Sequence, residues 1–495
     1  MHYATCCQAS PVICLTYMNN MPGKNKAAYP FLIIAGSLAC LVALSQLNYS
    51  FSFKDFQFRK LDMLSDLRTS SPEQDKNKPA LAGHTGKGGS VTDTAVTVKD
   101  SSGAVTTLPN PDAHHDYMEY TGIMQYASPL YSEDAAGMHK FLQALADLKA
   151  GKRKKVRIAY FGDSMIEGDL ITGELRDSLQ AFFGGRGVGF VPITSVVASF
   201  RTTITHTYSR DWTDYSYKKL PPSNIPLGIS GHTFIPSANS WVKYTPVKKP
   251  RLDKFNEISI LYGPAAGTGL TVNDKSYTLE GNAAVNRLDL RQDTGLPSVT
   301  IKYAGGAAGP LFGVSFEDDN GIYVDNFSFR GISGIELGKL SAEMIRRMQQ
   351  EHTYDLVVFH YGANVLWRPE LTDYSWFERP MTKVLDSLRN DFPATSFLII
   401  GTADKSYRKG DQYVTAPGVP ALLAVQHDLA AAHGTAFWNL FAAMGGENSM
   451  VKWVESDTPG ANKDYTHFNR LGASKVASLL YKAIMDEYRQ TGSVQ

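Results

Sequence analysis

Cysteine is scarce in this 495-residue chain and is missing from most of it. The four cysteines, Cys6, Cys7, Cys14 and Cys40, all lie near the N-terminus. No disulfide, thiolate metal site or nucleophilic cysteine can therefore form from residues beyond Cys40. Any chemistry in the rest of the chain has to come from hydroxyl, imidazole, carboxylate and amide groups.

An excess of charge of one sign is also absent. Lys and Arg number 49, and Asp and Glu number 48, so the formal net charge is +1. Proteins that bind nucleic acid usually carry a basic patch or stripe, and we predict no nucleic-acid partner. The chain has no His-Glu-x-x-His motif, and its glycine-rich run at 184–189 lacks the Gly-Lys-Ser/Thr ending of a phosphate loop. We expect neither a metal nor another cofactor.

One long apolar run stands out near the N-terminus, at residues 27–47. About 20 apolar residues are enough to cross a bilayer as a helix. We interpret residues 1–26 as an N-terminal tail and residues 27–47 as a transmembrane signal anchor, with a cleavable signal peptide as the alternative. Residues 48–117 hold a long stretch rich in Ser, Thr, Gly, Lys, Asp and Pro, which predicts a flexible spacer.

The remaining chain alternates short apolar runs with helical periodicity. Strand-like runs lie at 156–160, 355–361, 396–401 and 435–439, and helical stretches at 138–149, 171–182, 377–390, 420–432 and 470–488. This alternation predicts an α/β fold whose parallel sheet is covered on both faces. Residues 200–325 hold short alternating runs punctuated by Gly, Asn and Asp, which predicts a β-sandwich. We therefore predict one α/β domain in two parts, 118–199 and 326–495, interrupted by a β insertion over 200–325.

A serine stands where the first predicted strand turns into a helix, in Phe161-Gly162-Asp163-Ser164. Its hydroxyl would lie at the carboxyl end of a parallel strand, where open α/β sheets bind ligands. Backbone N–H groups of such a turn can hold an oxyanion. The alternative interpretation is a serine that only caps the helix.

A histidine with a carboxylate three residues before it occurs in Asp464-Tyr465-Thr466-His467, just before the last predicted helix. Together with Ser164, this pair could form a Ser-His-Asp hydrolytic site, in which the base activates a weak hydroxyl nucleophile. Alone, an Asp-x-x-His pattern is more often structural. The other example, Asp112 and His115, falls in the predicted spacer, where nothing would fix its geometry.

Two further motifs offer hydrogen-bond donors. Asn364 ends Tyr361-Gly362-Ala363-Asn364, directly after an apolar run, and its side chain could donate to a developing oxyanion. A glycine N–H in the segment 330–334 could do the same. Each motif could also be an ordinary turn.

Taken in order, these four motifs resemble the four blocks of the SGNH (GDSL-type) hydrolases, over residues 155–200 and 326–495. The resemblance implies a three-layer fold with Ser164 as nucleophile, His467 as base and Asp464 as its orienting carboxylate. It also implies an oxyanion hole formed by the Ser164 N–H, the Gly334 N–H and the Asn364 side chain. Three positions depart from the family pattern, namely Met165, Ala363 and Val365.

A longer but gapped match narrows the resemblance. Residues 162–169, 172–176 and 183–190 are similar to bacterial peptidoglycan O-acetylesterases and related O-acetyltransferases. Such esterases carry a carbohydrate-binding-module-like β domain where the sandwich is predicted here. Exposed aromatics of that insertion could stack on sugars (Trp212, Tyr215, Tyr217 and Trp241), although most aromatics in a sandwich are core.

The resemblance implies a serine esterase that removes O-acetyl groups from a cell-envelope glycan, with peptidoglycan as the expected partner. Two alternatives stay open, an O-acetyltransferase acting on an exported polysaccharide and a non-catalytic glycan-binding protein. With the predicted anchor, the catalytic domain would lie in the periplasm or outside the cell, held at the inner membrane. It would be secreted if the apolar run were cleaved.

Overall fold

The computed structural model describes residues 116–131, 136–291 and 298–492, and the backbone of four short strands nearer the N-terminus. Those strands form two hairpins, β1 (Ser52–Phe53) with β2 (Phe56–Gln57), and β3 (Val96–Lys99) with β4 (Val105–Leu108). The predicted tail, the predicted anchor at 27–47, the cysteines and the Asp112–His115 pair lie outside the described residues, as does the rest of the predicted spacer up to residue 115. Among the residues described, no helix combines the length and apolar character that spanning a membrane requires.

The strands and helices follow one another as in an α/β chain with a long β segment in its middle. The further strands are β5 (Ile123–Gln125), β6 (Lys155–Gly162), β7 (Gly189–Pro192), β8 (Thr205–Tyr208), β9 (Thr213–Ser216), β10 (His232–Ile235), β11 (Trp241–Thr245), β12 (Glu257–Tyr262), β13 (Ala265–Val272), β14 (Lys275–Gly281), β15 (Asn286–Arg291), β16 (Val299–Gly305), β17 (Leu311–Glu317), β18 (Gly321–Ser328), β19 (Leu356–His360), β20 (Ser396–Ile400), β21 (Ser406–Lys409), β22 (Gln412–Thr415) and β23 (Ala436–Trp438). The helices are α1 (His139–Lys149), α2 (Leu170–Phe183), α3 (Ala342–Glu351), α4 (Ser375–Asp391), α5 (Gly418–Ala432), α6 (Leu440–Met444), α7 (Ser449–Glu455) and α8 (Arg470–Gly492). Two 3-10 turns lie at Ser164–Asp169 and Ile335–Lys339.

The central sheet has the strand order β18-β6-β19-β20-β23-β5. The first five strands run parallel, and β5 is antiparallel to its neighbour β23. The predicted α/β fold with a parallel sheet is therefore confirmed. This sheet brings the carboxyl ends of β18, β6, β19 and β20 to one edge, which is where the predicted site residues follow.

Helices cover both faces of this sheet, because its strands are apolar on both sides. Along β6, Ile158 and Tyr160 pack into a core with α1, α2 and α8, whereas Ala159 and Phe161 pack into a core with α3, α4 and α5. Because successive side chains of a strand point to opposite faces, β6 contributes apolar residues to the cores on both faces of the sheet. The result is a three-layer arrangement of helices, sheet and helices.

The β segment forms two antiparallel sheets with a shared apolar core. One sheet has the order β15-β12-β17-β10-β9, with β7 also paired to β17, and the other has the order β14-β13-β16-β11-β8. Phe234 and Ile260 of the first sheet and Val242 and Ile301 of the second are fully buried in the core between them. Tyr217, one of the aromatics considered for sugar stacking, is only 3% exposed and is not available as a surface platform.

The chain crosses between the two architectures at places that differ from the predicted boundaries. Strand β7 falls in the predicted first α/β part, yet it pairs with β17 of the sandwich over 189–192. Strand β18 begins at Gly321, inside the predicted insertion, yet it pairs with β6 in the parallel sheet. The buried polar residues Asp325 and Asn326 interrupt the apolar pattern of β18, so this strand has no clear signal in the sequence.

Candidate active site

The register of the parallel sheet brings the motifs of Ser164 and Asn364 together. Gly162 at the end of β6 lies opposite Ser328 on one side and His360 on the other. Ser164 follows β6 by two residues, and Asn364 follows β19 by four, so both leave the sheet at the same edge. This edge is the usual location of ligand sites in parallel α/β sheets.

Ser164, His467 and Asp464 form a continuous hydrogen-bonded chain. The Ser164 Oγ lies 3.0 Å from His467 Nε2, and His467 Nδ1 lies 2.8 Å from Asp464 Oδ2. Ser164 is half-buried, while the His467 and Asp464 side chains are 38% and 49% exposed. This is the geometry of a hydroxyl next to a base whose second nitrogen is oriented by a carboxylate.

Asp464 also organises the loop that carries the histidine. Its Oδ1 accepts hydrogen bonds from the backbone N–H groups of Thr466 and His467, each at 3.0 Å. Tyr465, which lies between Asp464 and Thr466, has a left-handed φ of 52°. Partial burial raises the pKa of Asp464, but the hydrogen bonds from His467 and Thr466 outweigh it, and the net shift is downward. The carboxylate therefore stays ionised at neutral pH, as the partner of an imidazole N–H should.

Ser164 does not cap the helical turn that it begins. The cap is Asp163, which is fully buried and whose Oδ1 accepts a hydrogen bond from Met165 N at 2.9 Å. The capping role considered for Ser164 is thus performed by its neighbour. Within the described residues, the Ser164 N–H donates to no acceptor, which leaves it available to an oxyanion.

Asn364 carries a second donor that has no acceptor. Its Nδ2 is buried and makes no hydrogen bond to any described residue. An amide group buried without a partner is costly, and such groups in native structures usually have a functional explanation. Asn364 lies close enough to Asp163 for its polar groups to oppose the rise in the pKa of that carboxyl that burial causes, but its Nδ2 does not reach hydrogen-bond geometry with Asp163 and stays available to another acceptor.

Gly334, the third predicted oxyanion donor, immediately precedes the second 3-10 turn, and its N–H already donates a hydrogen bond within that turn. It donates to Glu336 Oε2 at 3.2 Å, and the same oxygen accepts from Ser333 N at 3.1 Å. Glycine is required at 334, because φ is 100° and an added Cβ would lie 2.8 Å from the Tyr361 ring. For the Gly334 N–H to serve an oxyanion, Glu336 would have to share or release this hydrogen bond.

Lys405 is a residue of this site that the sequence analysis missed. Its Nζ donates to the carbonyl oxygens of Ala363, at 3.3 Å, and Leu366, at 2.9 Å, which flank Asn364 in the chain. Burial lowers the pKa of Lys405, and the charges of Asp163 and Asp464 oppose that shift. No local pattern marks Lys405, since it follows β20 and reaches its partners only through the sheet register.

Comparison with known proteins supports the same fold. No protein-family model and no curated protein matches this chain. A solved peptidoglycan O-acetylesterase aligns with a TM-score of 0.62 and 22% identity, over 74% of this chain and 99% of that one. A family two carbohydrate esterase from Cellvibrio japonicus aligns with a TM-score of 0.25 and 10% identity, over 58% of this chain and 98% of that one. An acetyl xylan esterase aligns with a TM-score of 0.25 and 18% identity, over 33% of this chain and 80% of that one.

Only the first of these three scores is high enough to bear on the fold. The chain has the fold of a solved peptidoglycan O-acetylesterase, and that fold extends over nearly the whole of the similar protein. This likeness concerns the fold, and it agrees with the three-layer α/β fold that the four sequence motifs imply.

Proposed function

We propose that this protein is a serine esterase of the SGNH type that removes O-acetyl groups from a cell-envelope glycan, with O-acetylated peptidoglycan as the favoured substrate. The observation that carries the proposal is the chain of hydrogen bonds from Ser164 through His467 to Asp464, at 3.0 and 2.8 Å. The shared fold with a peptidoglycan O-acetylesterase supports the reaction class and the choice of glycan.

The geometry suggests how the proposed reaction would proceed. His467 Nε2 would take the Ser164 proton as Ser164 Oγ attacks the acetyl carbonyl, and Asp464 would stabilise the imidazolium. The Ser164 N–H and the Asn364 Nδ2, both without acceptors, would donate to the oxyanion. His467 would then give its proton to the departing sugar oxygen, which leaves as a hydroxyl group. In the second half, His467 would take a proton from the attacking water and return it to Ser164 Oγ as acetate leaves.

The deciding experiment measures acetate released from O-acetylated peptidoglycan by the full-length protein and by Ser164→Ala. We expect release by the unmodified protein and a loss of at least about 10³-fold in the variant. Ser223→Ala, which changes an exposed serine of the β segment, is the matched control and should retain activity. If the folded protein releases no acetate from any acetylated glycan, the proposal is wrong.

The same assay separates hydrolysis from acyl transfer. If Ser164-dependent transfer of acetyl groups to a glycan acceptor outpaces release to water, the protein would instead be an O-acetyltransferase. If Ser164→Ala leaves all glycan-related function intact, a binding role would replace the catalytic one.

Membrane attachment through residues 27–47 is a further part of the proposal, and it rests on the apolar sequence alone. Fractionation of cells that produce the full-length chain tests it. We expect the protein in the membrane fraction, and its release into the soluble fraction after deletion of residues 27–47. Recovery of an intact chain in the soluble fraction would contradict the anchor.

A further inference from the structure

A cavity of about 310 Å³ lies beside the candidate active site, between the α/β part and the β segment. Its walls come from the 3-10 turn that begins with Ser164, from β18 and the residues after it, and from β7 to β10. Glu167 and Arg330 line it, and Glu167 follows Ser164 by three residues, which can span at most about 10 Å. A substituent of a molecule whose ester is held at Ser164 can therefore reach the cavity.

Arg201 lines this cavity and has one guanidinium nitrogen without a hydrogen-bond partner among the described residues. Its side chain is only 8% exposed; Nε donates to Thr203 Oγ1 at 3.0 Å, and Nη2 donates to Asp169 Oδ2 at 3.2 Å. The remaining nitrogen, Nη1, makes no hydrogen bond to any described residue. A buried guanidinium group rarely leaves a donor unused unless a ligand or water accepts from it.

The carboxylate next to Arg201 is already saturated. Asp169 accepts from Arg176 Nη1 and Nη2, at 2.9 and 2.7 Å, and from the hydroxyl groups of Thr172 and Thr203, each at 2.6 Å. Arg176 and Asp169 are both fully buried. Two guanidinium groups thus share one carboxylate as their ion-pair partner. Asp325 also attracts Arg201 but forms no ion pair with it among the described residues, so Arg201 is only partly neutralised at the wall of the cavity.

The two other acidic groups that line the cavity are each paired with a neighbour of the opposite charge or with a histidine. Glu167 pairs with Arg330, and Asp214 pairs with His232 at 2.9 Å. Lys218 donates to the carbonyl oxygen of Arg330 at 3.1 Å, but it has no carboxylate partner among the described residues. Neither Glu167 nor Asp214 is therefore free to neutralise Arg201.

An aromatic surface completes the cavity. The His232 ring stacks on the Phe329 ring, with centroids 4.8 Å apart and an interplanar angle of 25°, and both residues line the cavity. Phe329 is buried beneath the His232 ring, so this pair makes one part of the cavity wall apolar. A partly neutralised guanidinium group beside an apolar wall suits a sugar that carries a negative charge.

We propose that this cavity is a subsite for a carboxylate carried by the glycan substrate, in which Arg201 Nη1 donates to a carboxylate oxygen. This proposal rests on the proposed function, since it names a substrate group recognised next to the same active site. Carboxylate is the favoured anion because a guanidinium group matches its planar geometry. The carboxylate can belong to the sugar itself or to an amino acid attached to it, and both present the same chemistry to Arg201.

The first test measures binding of small sugars to full-length Ser164→Ala protein by calorimetry. N-acetylmuramic acid and N-acetylglucosamine share a ring and differ by a carboxylate-bearing ether substituent. We expect the acid to bind about tenfold to a hundredfold more tightly, as one charged hydrogen bond would give. N-acetylmuramyl-L-alanine, whose carboxylate is on the attached amino acid, distinguishes the two sources. Equal binding of all three sugars would overturn the proposal.

Two sets of variants locate the effect. Arg201→Gln should remove the preference for the acid, but it also disturbs a buried network, so its folding has to be checked by thermal unfolding. Val196 lines the cavity and is 88% exposed, so its replacement should not affect folding. Val196→Asp should weaken binding of the acid severalfold by repulsion, whereas the matched Val196→Asn should not. Unchanged preference in both Arg201→Gln and Val196→Asp would overturn the proposal.

This binding experiment is independent of catalysis. Binding that prefers the acid, without acetate release by the unmodified protein, would contradict the proposed esterase but keep the subsite. Acetate release without any preference for the acid would keep the esterase and contradict the subsite.

Discussion

The Arg157 guanidinium group donates to both oxygens of the Glu317 carboxylate, through Nε and Nη2 at 2.7 Å each. Arg157 belongs to β6 of the parallel sheet and Glu317 ends β17 of the sandwich, and both side chains are buried. Lys155 adds a third group, because its Nζ lies 2.8 Å from Glu317 Oε2 and 2.8 Å from Glu257 Oε1. A buried ionic network therefore joins the two architectures.

Glu317→Gln should lower the stability of the protein substantially. The substitution removes the negative charge and leaves Arg157 buried without its partner, a change that costs about 3–5 kcal/mol in comparable buried pairs. The apparent free energy of unfolding in urea measures it. Asp253→Asn is the matched control, because its pair with Arg186 at 3.1 Å is exposed and should contribute less than about 1 kcal/mol. Equal losses in the two variants would contradict a special role for the buried pair.

Asn364→Ala should reduce kcat by about 10²–10³ and change KM little, because the amide is expected to donate mainly to the charge that develops in the transition state. Kinetics with a small acetyl ester measure this effect without requiring the glycan. Asn282→Ala, which alters an exposed asparagine of the β segment, should leave kcat unchanged. A rise in KM with kcat preserved would mean that Asn364 binds the substrate ground state and does not act on the oxyanion.

Lys405 should give the activity an alkaline limit. Burial lowers the pKa of Lys405 from its ordinary value of 10.5, so the ammonium group loses its proton at a lower pH than an exposed lysine. As pH rises through that value, the charge beside Asp163 and Asp464 disappears, and kcat should fall. Lys405→Arg should move the limit to higher pH, because arginine keeps its charge. Lys405→Met should lower kcat at all pH values and remove this limb, and an unaltered alkaline limb in Lys405→Met would contradict the assignment.

Two buried histidines should make the fold sensitive to mild acid. Burial lowers the pKa of His360 to about 4, and that of His206 to about 4, from 6.5. Between pH 6.5 and pH 4, these histidines bind protons in the unfolded chain but not in the folded protein. Their contribution to stability is therefore fully present above pH 6.5 and is lost as pH falls toward 4. Each histidine should contribute up to about 3 kcal/mol to this loss. His360→Asn should flatten the dependence of unfolding free energy on pH, and an identical slope would contradict this explanation.

The sequence predicted the residues of the candidate triad because each stands in a short contiguous motif next to a strongly periodic element. Asp464 and His467 are three residues apart, and Ser164 directly follows an apolar strand, so local pattern was sufficient to mark them. Their mutual distances depend on the register of the sheet, which the sequence indicated only through the order of the motifs.

Other features of the site could not be predicted in this way. The hydrogen bond from Gly334 to Glu336 depends on the conformation of one turn, and glycine at 334 is compatible with several. Arg201 and Asp169 are 32 residues apart and meet only after the chain has passed through α2 and β7. Such contacts arise from tertiary packing, and no periodicity or spacing in one sequence records them.

The pairing of β7 with β17 means that the β segment is not a detachable unit. The chain enters the sandwich at Gly189, before the predicted boundary, and Phe190 N donates to Asp325 Oδ1 of the parallel sheet at 2.8 Å. Excision of residues 200–320 would remove β17 and leave β7 without its pairing partner. The unpaired edge of β7 would then be exposed, which is a typical cause of aggregation. An engineered exchange of the β segment for that of another protein would have to transfer residues 189–317 together. It would also have to restore the contacts with the parallel sheet at both junctions, before residue 189 and after residue 317.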